Sequence, residues 1–133
     1  MMKGKYISIT LFSLYLLTVA LLCFMHGEQF PDLPKTWFGI ASDKVVHMLM
    51  FLPFPMLSYQ VFHPHKAGSA RRYATLVLLT AIGAGVASAT EKLQGLLDYR
   101  AEDKLDMMAD FIGLSAGALI CGAYIFILSM RRK

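Results

Sequence analysis

The stretch EKLQGLLDYRAEDKLDMMADFIGLSAGALICGAYIFILSM, residues 91–130, decides how this chain folds. Its first twenty residues carry nine formal charges and its last twenty, 111–130, carry none. The apolar core of a bilayer, about 30 Å thick, takes roughly 20 helical residues to cross. The uncharged half is therefore long enough for a transmembrane helix, and the charged half is what such a helix leaves at the membrane surface.

Working outward, three more runs lack Asp, Glu, Lys and Arg: 6–25, 45–62 and 73–90, of which only the second holds a histidine, His47. A soluble helical bundle would need a polar stripe on each helix for water, and these runs have none. With 56% hydrophobic and 17% charged residues, the composition agrees. The expected fold is all-α: an integral membrane four-helix bundle, one transmembrane domain over 1–133, with helices at about 6–25, 45–62, 73–94 and 105–130. The first run exceeds the about 7 to 15 apolar residues of a secretory signal and no A-x-A-like site follows it, so it is read as a retained helix. Cys23 and Cys121 lie inside apolar runs as small hydrophobes and imply no disulfide framework.

Basic residues in short loops mark the cytoplasmic side. Lys3, Lys5, Lys66, Arg71, Arg72, Arg131, Arg132 and Lys133 flank the helices on one side with no acidic residue among them. The loops on the other side hold Lys35, Lys44, Lys92, Arg100 and Lys104 together with all nine acidic residues. Both termini are thus expected in the cytoplasm, with a polar cluster at the extracytoplasmic end of the bundle. The basic face reads as a topology determinant that meets anionic lipid, and not as a nucleic-acid surface.

Helical spacing aims the polar residues. Asp43 and His47 are four apart and share a face of the second helix, with Lys44 close to it. Ala84, Ser88, Glu91 and Gln94 form a stripe on the third helix. Asp103, Asp106, Asp110, Gly113 and Gly117 form another on the fourth, where the glycines mark a close-packing face. Pro53 and Pro55 predict a kink in the second helix. Ionisable groups at such depth are costly unless turned to the bundle interior or to water.

D-K-x-x-H in DKVVH, E-x-x-Q in EKLQ, R-x-x-D-x-x-D in RAEDKLD and the following G-x-x-x-G resemble the VanZ-like family, from about Ser42 to Gly117. The resemblance implies a small polytopic bacterial protein of the cell envelope, in the cytoplasmic (inner) membrane. It also implies a link with low-level resistance to teicoplanin, a lipid-tailed glycopeptide. Its polar set would be Asp43, Lys44, His47, Glu91, Gln94, Arg100 and Asp106; where the family commonly has asparagine this chain has Asp110.

His47, Glu91, Asp106 and Asp110 are the candidates for acid/base chemistry, which needs carboxylates held in different environments. Asp43, Lys44, Gln94 and Arg100 are the candidates for ligand contact, and Gly113 and Gly117 for packing. Each has a plainer reading too. Ser42 can cap the second helix with Asp43 in its first turn, Asp103 and Asp106 can do the same for the fourth, and His47 can simply hydrogen-bond an acid. Lys44, Lys92, Lys104, Glu102 and Asp98 can be solvated charges, Arg100 a salt-bridge partner of Asp103 or Asp106, and Trp37 with Phe38 an interface anchor. His63 and His65 read as loop. No resident cofactor is expected; a divalent metal at His47 with Asp or Glu is permitted but lacks a compact signature such as H-E-x-x-H. Phosphate-binding glycine loops and paired C-x-x-C are absent, and GLSAG at 113–117 lies inside an uncharged helical run and not at the strand-to-helix turn that a G-x-S-x-G elbow needs. Three functions remain. The favoured one is a non-enzymatic factor that binds a lipid-linked envelope precursor, an amphipathic antibiotic or a membrane partner. The second is a membrane-embedded hydrolase or transferase acting on a lipid-linked phosphate or envelope amide. An ion-coupled transport element is the weakest.

Overall fold

The computed structural model describes residues 2–25, 34–64, 66–99 and 102–131. The chain runs α1 (Met2–Phe24), β1 (Thr36–Trp37), β2 (Ile40–Ala41), α2 (Ser42–Phe51), α3 (Phe54–Phe62), α4 (Ser69–Gln94) and α5 (Lys104–Met130). Four spans are long and apolar enough to cross a membrane: Gly4–Phe24, Ser42–Phe62, Ser69–Gln94 and Lys104–Met130. The 27 residues of α5 reach about 40 Å at a helical rise of about 1.5 Å. The outward faces carry Leu14, Leu17 and Leu21 on α1, Val77, Leu78 and Ile82 on α4, and Leu119, Ile120 and Phe126 on α5. A surface this apolar on every side is matched by hydrocarbon and not by water.

Three expectations need correction in detail. The helices start earlier than the apolar runs, because polar residues such as Lys5, Arg71, Arg72 and Lys104 continue the helical hydrogen bonding beyond the uncharged core. The chain is not purely helical: Thr36 pairs with Ala41 and Trp37 with Ile40 in a short antiparallel hairpin. Its two turn residues, Phe38 and Gly39, both have positive φ, at 53° and 81°, which is the signature of a type I′ turn. The second span is two helices, α2 and α3, separated at Leu52–Pro53. Pro55 then falls in the first turn of α3, where its missing N–H is no loss.

That break is held from outside. The Tyr15 hydroxyl of α1 donates to the Met50 carbonyl at 2.7 Å, satisfying one of the carbonyls that α2 leaves at its end. Around it lies an apolar cluster of Val19, Cys23, Met50, Phe51, Phe54, Ala87 and Leu114. A second cluster, Tyr59, Leu76, Leu79, Cys121 and Ile125, fills the other half of the bundle. The central helix is α5, which packs most extensively against α2 and α4, while α1 lies against α3 and α4 at the periphery.

Two glycines set the α2–α5 distance. A Cβ on Gly113 would run into the carbonyl oxygen of Met48, and one on Gly117 into that of Leu52. Both obstacles are backbone, so the helices approach this closely only because these positions have no side chain. On α4 the buried stripe is Gly83, Ala87, Glu91 and Gln94, and Ala84 and Ser88 are only partly buried. The expected stripe is thus rotated by one residue in its inner half. The reason is size: a Cβ on Gly83 would lie 2.7 Å from both Leu114 and Phe54, so the helix turns its smallest residue to that contact.

Candidate functional site

The ends of α1 and α4 and the beginnings of α2 and α5 meet at one end of the bundle, with the hairpin beside them. The close glycine contact puts Asp110, one turn before Gly113, against His47, one residue before Met48. His47 Nδ1 lies 2.9 Å from Asp110 Oδ1, and its Nε2 lies 3.5 Å from Asp106 Oδ2. Both ring nitrogens therefore face carboxylates. An imidazolium hydrogen-bonds Asp110 and forms a longer ion pair with Asp106.

Asp106 is the hinge of a larger network. Its second oxygen accepts from Lys44, whose ammonium also reaches Asp43 at 2.9 Å and Asp103 at 2.5 Å. Lys44 is not the solvated charge its position in the sequence allows: three aspartates from two helices surround it, and all three ammonium donors are engaged. Lys92, Lys104, Glu102 and Asp98 are exposed. Ser42 is the first residue of α2 and not its cap. Its hydroxyl instead donates to the Pro34 carbonyl, and its N–H donates to the Lys35 carbonyl at 3.2 Å, tying the hairpin's approach to the helix start. Asp103 does cap α5, accepting from the Leu105 N–H at 2.8 Å. The Lys44 ammonium on its other oxygen holds the Asp103 carboxyl below the usual aspartate range.

Glu91 joins the network from α4. One carboxylate oxygen accepts from the Asp103 N–H; the other is buried with no hydrogen-bond partner among the described residues. The side chain is 2% exposed, and a lone buried carboxylate oxygen is a costly feature that asks for a proton or a ligand. Gln94, one turn further, donates to the Cys23 carbonyl at 2.8 Å, and the Tyr99 hydroxyl donates to that of Phe24 at the same distance. These two bonds satisfy the last turn of α1 and seal it to the end of α4.

A cavity of about 320 Å³ opens next to this network, lined by Leu22 and Cys23 of α1, Pro34 and Lys35, Ser42, Asp43, Val46, His47 and Met50 of α2, and Gln94. One wall is apolar, and the end nearest the network is polar. Trp37 lies nearby with Tyr15, Leu22, Val46 and Met50 around an adjoining hollow.

Of the sequence candidates, His47, Glu91, Asp106 and Asp110 converge, and Asp43 and Lys44 are linked to them through Asp106. Gln94 borders the cavity but its amide is spent on α1. Arg100 lies outside the described residues. Gly113 and Gly117 lie at the α2–α5 contact. The contribution of α1 was missed: Leu22 and Cys23 line the cavity and Tyr15 braces α2, and a lone tyrosine in mid-span was the one signal for it. Among the described residues the acids able to share a cation are Asp43, Asp103 and Asp106, the three that surround Lys44. The ammonium already sits where a divalent ion would, and no such group includes His47. Comparison with protein-family models, with curated proteins and with solved structures gives no match.

Proposed function

We propose that this chain is a VanZ-like envelope protein of the bacterial cytoplasmic membrane that binds an amphipathic, lipid-linked ligand at its carboxylate-rich end. In this reading both termini are cytoplasmic and the cavity opens to the extracytoplasmic side, as the distribution of Lys and Arg between loops supports. The observation that carries the proposal is the cavity beside the network, apolar along Leu22, Val46 and Met50 and polar at Asp43, His47 and Gln94. An isoprenoid tail matches the first surface and the polar head of an envelope precursor or lipid-tailed antibiotic the second. Binding is favoured over catalysis because the cations and most carboxylates of the network are already committed to one another. Groups that must transfer protons in each turnover need to be released from such pairs.

The test uses the single tryptophan, Trp37. In nanodiscs, a polyprenyl diphosphate is expected to change its fluorescence saturably and to be recovered intact. The bulky Val46→Trp variant adds a second indole, so its binding is followed by retention of radiolabelled ligand and is expected to be lost. An absence of saturable binding to the wild type would sink the proposal.

One observation favours a second reading, a membrane-embedded hydrolase or transferase acting on a lipid-linked phosphate or envelope amide. The unpartnered Glu91 oxygen near the His47–Asp110 pair supplies a carboxylate in a different environment from its neighbours, as acid/base chemistry requires. Release of phosphate from the same probe, abolished in normally inserted His47→Ala and Asp106→Asn variants, would replace the binding reading with this one.

A further inference from the structure

The opposite end of the bundle contains a buried cation with no acidic partner among the described residues. Arg72, in the first turn of α4, is 9% exposed, and its Nε is buried without a hydrogen-bond partner. The described acidic residues, Asp43, Glu91, Asp98, Glu102, Asp103, Asp106 and Asp110, all lie toward the other end of the bundle. Among the described residues no acidic side chain is therefore placed to neutralise it. A buried guanidinium Nε without an acceptor forfeits a hydrogen bond and part of the solvation of its charge, which an anion from outside would restore.

The surroundings fit one. Arg72 lines a cavity of about 180 Å³ with Tyr59, Gln60, His63, Tyr124, Ile125 and Leu128, where the ends of α3 and α5 meet the start of α4. The His63 ring stacks on Tyr59 with centroids 5.5 Å apart. Its Nδ1 lies 3.1 Å and 3.2 Å from the carbonyls of Tyr59 and Gln60, which can only accept, so that nitrogen carries a proton. At about 30 Å³ per water in the liquid, the volume takes a phosphate group but not a folded acyl chain. The first turn of α4 has no acidic residue and its cap contributes no side-chain bond, so the positive end of the helix dipole at this end is not offset by a local carboxylate. Lys66, Arg71 and Arg131 are exposed around this end and raise the local concentration of anions.

We propose that Arg72 is the centre of a phosphate-binding site at the basic end of the bundle. Its planar fork grips two oxygens of a phosphate monoester or diester, the geometry in which arginine outperforms lysine. The phosphate is either that of an anionic phospholipid entering from the bilayer or a free phosphate from the aqueous side. This site is separate from the carboxylate cluster and does not depend on what the cavity there binds.

Native mass spectrometry and melting of the purified chain distinguish the sources. One arm titrates inorganic phosphate into detergent-solubilised protein; the other compares phosphatidylglycerol with phosphatidylcholine in nanodiscs. The wild type is expected to retain one phosphate or one phosphatidylglycerol. R72Q and R72K are expected to weaken that binding about tenfold or more, and R71Q, at the exposed neighbour, to leave it unchanged. A response to inorganic phosphate alone assigns a soluble anion, and a response to phosphatidylglycerol alone assigns a headgroup. Equal binding by R72Q and wild type in both arms, or equal losses in R71Q and R72Q, overturns the proposal. Should R72Q fail to fold, absence of stoichiometric retention by the wild type in both arms overturns it as well, and R72K then carries the comparison.

Discussion

The two ends of this bundle treat buried charge in opposite ways. At one, Lys44 sits among Asp43, Asp103 and Asp106, and His47 bridges Asp106 and Asp110. At the other, Arg72 is buried with no acid in reach among the described residues. Asp110 is 1% exposed, less than Arg72, yet it has a partner, and the Arg72 Nε has none among the described residues. Depth alone therefore does not decide which charges the fold neutralises internally. What differs is the helix contact: α2 and α5 touch backbone to backbone through Gly113 and Gly117, so side chains from both reach one another, whereas Arg72 faces a cavity.

The largest effect should come from breaking that contact. Gly113→Ala or Gly117→Ala puts a methyl group against a backbone carbonyl of α2, and the helices must separate. The expected cost is about 3 kcal/mol, at the upper end for overpacking. With it goes the His47–Asp110 pairing, so the carboxylate end should come to resemble the other, with buried charges unpaired. Gly85 has open space around it, and Gly85→Ala should be neutral or stabilise by about 1 kcal/mol through helix propensity. Thermal melting of the three variants in one detergent checks this, and equal behaviour of Gly85 and Gly117 would show that the close approach is not required.

Lys44→Met sharpens the comparison from the other side by removing the cation from among its acids. Asp43, Asp103 and Asp106 then face each other unpaired, and the melting temperature should fall. Their oxygens lie within 4.8 Å of one another, close enough to share one divalent ion. Millimolar calcium should therefore restore much of the lost melting temperature in Lys44→Met and leave the wild type unchanged. Calcium stabilisation of the wild type would contradict the view that the ammonium fills this position.

How much of this could be read in the sequence follows the same division. The four spans were legible because a water-soluble helix of that length would have to break its apolar run with charges, and none of the four does. The fourth-helix stripe was legible because one periodicity carries both its aspartates and its glycines. Lys44 was not, since a lysine beside an aspartate at a helix start looks solvated until a second helix brings two more acids to it. The α4 face was misread by one residue, because Ala84 and Ser88 are as small as Ala87 and only the bulk of Phe54 and Leu114 selects Gly83. The Arg72 cavity left no trace, as Arg71 and Arg72 are equivalent to any counting rule and the fold buries only one of them.

The smallest effect concerns Asp103, at the rim of the network. Lys44 holds its carboxyl below the ordinary aspartate range, so the folded protein binds the proton less readily than the unfolded chain. A carboxylate depressed in this way contributes stability above its unfolded value of about 3.9 and loses it as pH falls through the lower folded value. Asp103→Asn retains a good helix cap and removes only the charge. The difference in melting temperature between wild type and Asp103→Asn should thus be constant from neutral pH to about pH 5, shrink as pH falls below the unfolded value, and vanish once the folded carboxyl is protonated. In the Lys44→Met background that difference should disappear or change sign, since there the Asp103 charge only repels its neighbours. A difference that persists unchanged in that background would mean that Asp103 acts through its cap and not through the ammonium, and the network would end at Asp106.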